Sequence, residues 1–302
     1  MTFTAFWLIL LSSGLHVTWN TLAKKNRLSF PFYAILCTVA MLMWLHSLWW
    51  SPVELSALPA KFWYCVLLSV ISDAVIYCTG LICAYRSLEM SLAYPVMRSL
   101  PLLFIALITS AFNCGKTLGA GEICGMVTVV AGCIIMPLGS TGRVTLASYF
   151  NRGTVFIFMV ACGTTGYTFF DSEGMRIIVS EFPEASRSVV AMNYYAARGG
   201  ILSAVLWLMS ISTAANRQII RDFIRQKNFT PLCAGVVASG AYICVLLAMN
   251  FVDNVSFVVA FRQIGLVLGV LAGVFFLKEK AAPAKFAGTA LIIAGLLMTA
   301  LL

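Results

Sequence analysis

Residues 92 to 104 read LAYPVMRSLPLLF, an apolar run that sets one arginine, Arg98, between two prolines, Pro95 and Pro101. Residues 256 to 271 read SFVVAFRQIGLVLGVL and enclose a second arginine, Arg262, in equally apolar surroundings. Such runs belong in hydrocarbon. The 302-residue chain is 61% hydrophobic and 10% charged, against roughly 25% charged residues in soluble domains. A spanning helix needs about 20 mostly apolar residues. Ten such runs can be marked, near residues 3–23, 31–50, 62–84, 89–112, 118–138, 152–172, 187–211, 231–251, 255–277 and 283–302. They leave no room for a soluble domain, so the expected fold is an all-α membrane protein with ten transmembrane helices.

The two arginine runs belong to a larger repeat. Segments Ala84–Met136 and Ala248–Met298 share one plan: an apolar helix end, an acidic turn (Glu89, Asp253), an arginine helix, a polar loop and a glycine-patterned last helix. Arg98 and Arg262 differ by 164 residues, as do Ala84 and Ala248, and Glu89 and Asp253. Gly125 and Gly132 match Gly288 and Gly295 at an offset of 163. The chain therefore reads as two five-helix repeats, residues 1–140 and 150–302. Five is odd, so the second copy enters the membrane from the opposite side and the repeats are inverted. That symmetry carries Arg98 and Arg262 to related positions near the midplane. The glycine pattern itself reads as close helix packing.

Loop charge predicts orientation. Odd-numbered loops hold Lys24, Lys25, Arg27, Arg86, Arg143, Arg152, Arg217, Arg221, Arg225, Lys227, Lys278, Lys280 and Lys285, whereas even-numbered loops hold Lys61, Lys116, Arg176 and Arg187. Thirteen against four makes the odd loops cytoplasmic and both termini extracytoplasmic. The net charge of +9 then reflects topology and an anionic inner leaflet. It forms no single basic patch with interleaved aromatics, so no nucleic-acid partner is expected. The first run has no basic leader and no small-residue cleavage site before KKNR, and reads as a mature helix rather than a signal peptide. The ten cysteines form no CxxC pair and read as buried small hydrophobes, with no disulfide or metal framework.

GLHVTWNTLAKK (Gly14–Lys25), GYTFFDSEGM (Gly166–Met175) and VSFVVAFRQIGLVLGVLAGVFFLKEKAAPAKFAGTALIIAGLLM (Val255–Met298), taken in order, resemble the EamA-type members of the drug/metabolite transporter superfamily. The resemblance covers nearly the whole chain and implies ten helices in two inverted five-helix repeats, and transport of small metabolites or drugs. The chain departs from that pattern at Asn113-Cys114-Gly115, where the family's helix-ending LGE is absent although Leu277-Lys278-Glu279 preserves part of it. It also has Gln263 where many relatives carry an acid.

The physics of buried charge leads to the same place. An arginine at mid-helix costs about 2.5–3.5 kcal/mol on insertion scales and therefore faces a cavity or a partner. Arg98, Arg198 and Arg262 lie far from helix ends, whereas the intramembrane acids are Asp73, mid-run, and Asp171, near the end of the sixth run. Complete pairing is impossible by count. Left-over guanidinium groups suit the carboxylate or phosphate of a cargo; the structural alternative pairs one arginine with Asp73 and the others with backbone carbonyls. Arg98 and Arg262 are the primary substrate-binding candidates.

His16, Trp19 and Asn20 share one helix face, as do Asp73 and Tyr77. Tyr94, Tyr167, Tyr194, Tyr242 and Gln263 complete the candidate binding set. Asp73 is the candidate coupling acid, a role that pairing with an arginine would remove. Pro95 and Pro101 free carbonyls beside Arg98 and could form a bend. No catalytic or metal-binding constellation is found: Gly115-Lys116-Thr117 lacks the earlier glycine of a phosphate loop, and His16 and His46 lie on separate runs.

The expectation is a secondary transporter and not an enzyme, an exporter in the plasma (inner) membrane. It would move a small anionic or zwitterionic metabolite, such as an amino acid, organic acid or organophosphate, by alternating access. The alternative is a flippase or transferase acting on a lipid-linked phosphate, which would need an acid, base or metal constellation that only Asp73 begins to supply. A small-molecule substrate and the lipid bilayer are the expected partners, with no cofactor, for a monomer.

Overall fold

The computed structural model describes residues 2–26, 28–87, 90–113, 115, 117–138, 153–275 and 282–301. Helix follows the apolar runs: α1 (Phe3–Lys25), α2 (Phe30–Leu45) continued by α3 (Ser47–Trp50), α4 (Ala60–Val70), a π-helical turn (Ile71–Tyr77), α5 (Cys78–Ser87), α6 (Met90–Ala111) and α7 (Ala120–Ile135). Then come α8 (Thr154–Glu181), α9 (Arg187–Ile211), α10 (Ala214–Arg225), α11 (Thr230–Met249), α12 (Val255–Phe261), α13 (Ile264–Phe275) and α14 (Pro283–Leu301). No strand occurs among the described residues. Among the described residues, seven helical stretches are long and apolar enough to cross a membrane: Phe30–Trp50, Ala60–Ser87, Tyr94–Ala111, Thr154–Glu181, Arg187–Ile211, Thr230–Met249 and Pro283–Leu301. The chain is an all-α, multi-pass membrane protein. Several expectations lie outside the described residues, namely Arg27, Glu89, Cys114, Lys116, Arg143, Arg152, Leu277, Lys278, Glu279, Lys280 and the junction at 140–150.

Hydrocarbon leaves no water to satisfy backbone groups, so each helix meets its own needs. Thr2, Ser29, Ser186 and Asn254 cap α1, α2, α9 and α12 through side-chain oxygens. Mid-helix hydroxyls such as Thr38, Thr165, Ser210 and Thr299 bond to the carbonyl one turn back. Apolar runs thereby tolerate polar residues.

Two boundaries differ from expectation. The sixth run extends to Glu181 because its charged segment DSEGMR stays helical: Asp171 is fully buried, while Glu173 and Arg176 pair at 2.8 Å on the flank. Asp171 therefore sits inside α8, not near its end. α10 forms where a loop was expected. Its arginines, Arg217, Arg221 and Arg225, recur at i, i+4 and i+8, with Ile220 and exposed Ile224 alongside, an amphipathic pattern suited to the boundary between headgroups and hydrocarbon. Phe223 anchors it on Phe32 of α2 at 6.4 Å.

The most extensive contacts are α7 with α14, α1 with α11, and α2 with α9 and α11. α8 packs on α4, the π turn, α5 and α6, and α6 also meets α7 and α12. Glycine permits the closest of these approaches. A Cβ on Gly132 would lie 2.6 Å from the Gly288 carbonyl oxygen, and one on Gly125 would lie 2.7 Å from that of Gly295. Gly14 of α1, by contrast, meets nothing within 4 Å. Gly132→Val should therefore lower stability by about 1–3 kcal/mol through overpacking, whereas Gly14→Ala should raise it by about 0.5–1 kcal/mol through helix propensity. Thermal unfolding in detergent measures both, and equal effects would contradict the packing described.

Candidate functional site

The π turn is the local feature that builds the site. Its register shift is closed by the Cys78 amide donating to the Asp73 carbonyl, five residues back, and such turns occur frequently at functional sites. α8 comes close enough to support it because Gly163 lies against Tyr77, where a Cβ would sit 2.6 Å from the Tyr77 amide nitrogen.

Arg198 of α9 reaches this turn. Its guanidinium meets Asp73 Oδ2 at 2.7 Å, Asp171 Oδ1 at 3.0 Å and Ser69 Oγ at 2.7 Å. Asp171 also accepts from Ser69, from Tyr194 at 2.6 Å and from Tyr242. Asp73 Oδ1 has only Tyr33 OH, at 3.4 Å. The structural alternative, one arginine on Asp73 and the others on backbone carbonyls, is met by Arg198 at Asp73 and by Arg98 at the Arg262 carbonyl, and the pairing counts against Asp73 as a free coupling acid. Rings surround the cluster in a chain: Tyr33 to Tyr77 at 6.4 Å, Tyr77 to Tyr167 at 5.7 Å, Tyr167 to Tyr242 at 6.2 Å, and Tyr242 to Tyr195 at 5.6 Å. Arg198 lies over the rings of Tyr167 and Tyr242.

Arg98 and Arg262 meet elsewhere. The helix breaks at Arg262 and Gln263 between α12 and α13, and the Arg262 carbonyl there accepts from Arg98 Nη2 at 3.0 Å as well as from the Gly265 amide at 3.3 Å. In return Gln263 Nε2 donates to the Arg98 carbonyl at 2.8 Å, beside the turn that Pro101 disturbs in α6. Arg98 Nη1 also donates to Tyr94 OH at 2.8 Å. Five N–H groups less these two leave three on Arg98 without an acceptor among the described residues. Among the described residues no carboxylate pairs with either arginine, and the Arg262 guanidinium has no hydrogen-bond partner.

These groups line two adjoining lobes that share four residues. The first takes in Arg98, Arg262, His16, Asn20, Tyr77, Tyr85, Tyr94, Tyr167 and Gln263. The second takes in Trp19, Tyr33, Asp73, Tyr195, Arg198 and Tyr242, and shares His16, Tyr77, Tyr167 and Arg262 with the first. The Trp19 indole, a donor only, bonds His16 Nδ1 at 3.0 Å, leaving Nε2 to carry the ring proton. Tyr85 OH and Gln263 Oε1 are buried without partners. The first lobe thus presents many donors, two cations and no acid among the described residues.

Of the expected binding residues, only Tyr194 lies away from both lobes. It is fully buried behind the cluster as a donor to Asp171, because its face of α9 turns toward α4 and α8, where Phe62 and Gly174 receive its ring. Tyr33, Tyr85 and Tyr195 were missed; a lone tyrosine in an apolar run carries no sequence signal that separates cavity from core. Asn254, which heads a glycosylation-like triplet, is 1% exposed and caps α12 instead.

At the end of the bundle marked by Thr2, contacts run beside a separate pocket lined by Thr2, Glu122, Arg187, Asn250, Phe251 and Asp253. Arg187 lies over Phe251 at 4.5 Å, Asn250 Nδ2 bonds the Arg187 carbonyl at 3.2 Å, and Thr109 bonds Ser256 at 3.2 Å. Gly115, at φ +88, packs against the Asp253 backbone there. Neither lobe includes any of these residues.

No family model matches the chain, and no curated protein matches it. A solved structure described only as "Crystal structure of protein" is similar, with a TM-score of 0.63 at 18% identity over 99% of this chain and 97% of that one. At that identity the likeness concerns the fold alone.

The two arginine environments make opposite stability predictions. Asp171→Ala removes the acceptor of four buried donors and should cost about 3–5 kcal/mol. Arg98→Ala strands no carboxylate and should stay within about 1 kcal/mol of wild type. Melting temperatures of the purified variants check this, and a larger loss for Arg98→Ala would show that Arg98 is structural.

Proposed function

We propose that the chain is an EamA-type drug/metabolite transporter: ten transmembrane helices in two inverted five-helix repeats, exporting a small anionic or zwitterionic metabolite across the plasma membrane by alternating access. On this reading residues 1–140 and 150–302 are the repeats, and both termini are extracytoplasmic.

The packing supports the symmetry. Exchanging the repeats sends α1 onto α8, α2 onto α9, the Ala60–Ser87 rod onto α11, α6 onto the α12–α13 pair, and α7 onto α14. The α1–α11 contact then becomes the contact of α8 with the rod, and α1–α13 becomes α8–α6; α2–α9, α6–α12 and α7–α14 map onto themselves, and all are made. Gly125 against Gly295 and Gly132 against Gly288 exchange with each other in the same way. A cavity walled by both repeats is the geometry that alternating access requires.

The observation that carries the function is the pair of guanidinium groups, Arg98 and Arg262, facing one cavity without a carboxylate among the described residues. Charge left open at the interface of two repeats recognises an acidic cargo group, and the planar fork fits it with two parallel bonds. Although its pairing counts against Asp73, one guanidinium cannot offset both carboxylates, so on this reading coupling stays with the Arg198 cluster. Two carboxylates share one guanidinium there, so the cluster has a formal place for one further positive charge. Asp171 is filled by four donors, which leaves Asp73 to receive a proton.

Reconstitution into proteoliposomes tests the reading. A labelled acid panel should reveal uptake that Arg98→Ala and Arg262→Ala each reduce more than tenfold, the scale of about 2–5 kcal/mol for an unpaired charge. Arg98→Lys should fall between, since an ammonium offers no fork. In the same vesicles Asp73→Asn should abolish pH-driven accumulation while exchange at saturating, equal concentrations survives. Full transport by either alanine variant would overturn the assignment.

A further inference from the structure

Resting on the transporter reading above, we infer that the second lobe is a cation subsite centred on Asp73, so that the protein selects cargo bearing both an acid and an N–H-bearing ammonium over simple anions. The lobes differ in the charges that line them. Arg98 and Arg262 give the first lobe two positive charges with no carboxylate among the described residues, whereas the second, which shares Arg262 and adds Arg198, brings in Asp73, a member of a cluster in which two carboxylates share one guanidinium.

Only Asp73 can serve a ligand there. Asp171 is filled by Ser69, Tyr194, Tyr242 and Arg198 and lines neither lobe. Asp73 lines the lobe, gives Oδ2 to Arg198, and keeps Oδ1 with nothing closer than Tyr33 at 3.4 Å. An ammonium N–H would find its acceptor at Oδ1. Arg198 already occupies the Tyr167 and Tyr242 rings, whereas Trp19, Tyr33, Tyr77 and Tyr195 remain as lining, a wall favourable to organic cations. His16, Tyr77, Tyr167 and Arg262 belong to both lobes, so one small molecule can place its acid on the arginines and its amine on Asp73. A simple anion leaves Asp73 unmet. A quaternary amine gains the rings but has no hydrogen to donate. The same formal vacancy accepts a proton once the ammonium has left, which would exchange one for the other.

The experiment compares matched ligands on the purified full-length protein by calorimetry: the ω-amino acids from glycine to 6-aminohexanoate, the carboxylates lacking the amine, the amines lacking the acid, and the N-trimethyl analogues. At least one amino acid should bind roughly tenfold or more tighter than its three matched partners, the scale of one hydrogen bond to a charged group. Asp73→Asn should bring that amino acid to parity with its carboxylate, which should still bind, and Arg98→Ala should remove both. Equal binding of carboxylate and amino acid to the wild-type protein overturns the inference, as does a preference that survives Asp73→Asn. Carboxylates that bind through Arg98 without an amine advantage leave the transporter reading standing and remove the subsite alone. Failure of every acid to bind removes both.

Discussion

Arg198, held between Asp73 and Asp171, is the interaction on which the rest of the arrangement depends. It ties the Ala60–Ser87 rod to α8 and α9 at one buried point, and Tyr242 brings α11 to the same carboxylate. Ions this deep are tolerated only when their bonds are complete, and the π turn completes them by swinging Asp73 into reach. The same turn carries Tyr77 to the boundary of the two lobes. By using both intramembrane acids, the cluster also determines what the other arginines lack.

Arg98 and Arg262 therefore hold one another through backbone rather than through acids. Each lies where its helix has been opened, by Pro101 in α6 and by the break after Phe261 in α12. The Arg98 guanidinium bonds the Arg262 carbonyl, and the Gln263 amide bonds the Arg98 carbonyl. That fixes the crossing of α6 and α12 without using up the charge. A positive site is left without a carboxylate among the described residues, the feature on which the proposed carriage of acidic cargo rests.

The arginine pair was legible because both copies kept the same spacing from their glycines and acidic turns, and offset arithmetic needs no structure. The excess of arginines over acids was legible by counting. Assignment of partners was not: Asp171 looked like a helix end because DSEGMR is charged, whereas its burial follows from hydroxyls supplied by α4, α9 and α11, remote in sequence. The π turn left no trace, since ISDAVIY reads like any apolar helix. Tyr194 and Tyr195 are adjacent residues in identical local sequence, yet one is core and the other cavity wall. α10 was read as loop because three arginines outweighed its isoleucines, although their four-residue spacing held the helical period.

Arginine-directed modification with phenylglyoxal, located by mass spectrometry, tests the division of the three arginines most directly. The account predicts that half-buried Arg98 is modified in the folded protein, that an acidic cargo protects it, and that Arg198, enclosed by two carboxylates and 5% exposed, is spared. Modification of Arg198 as fast as Arg98, or an Arg98 that stays inert until the protein unfolds, would contradict it.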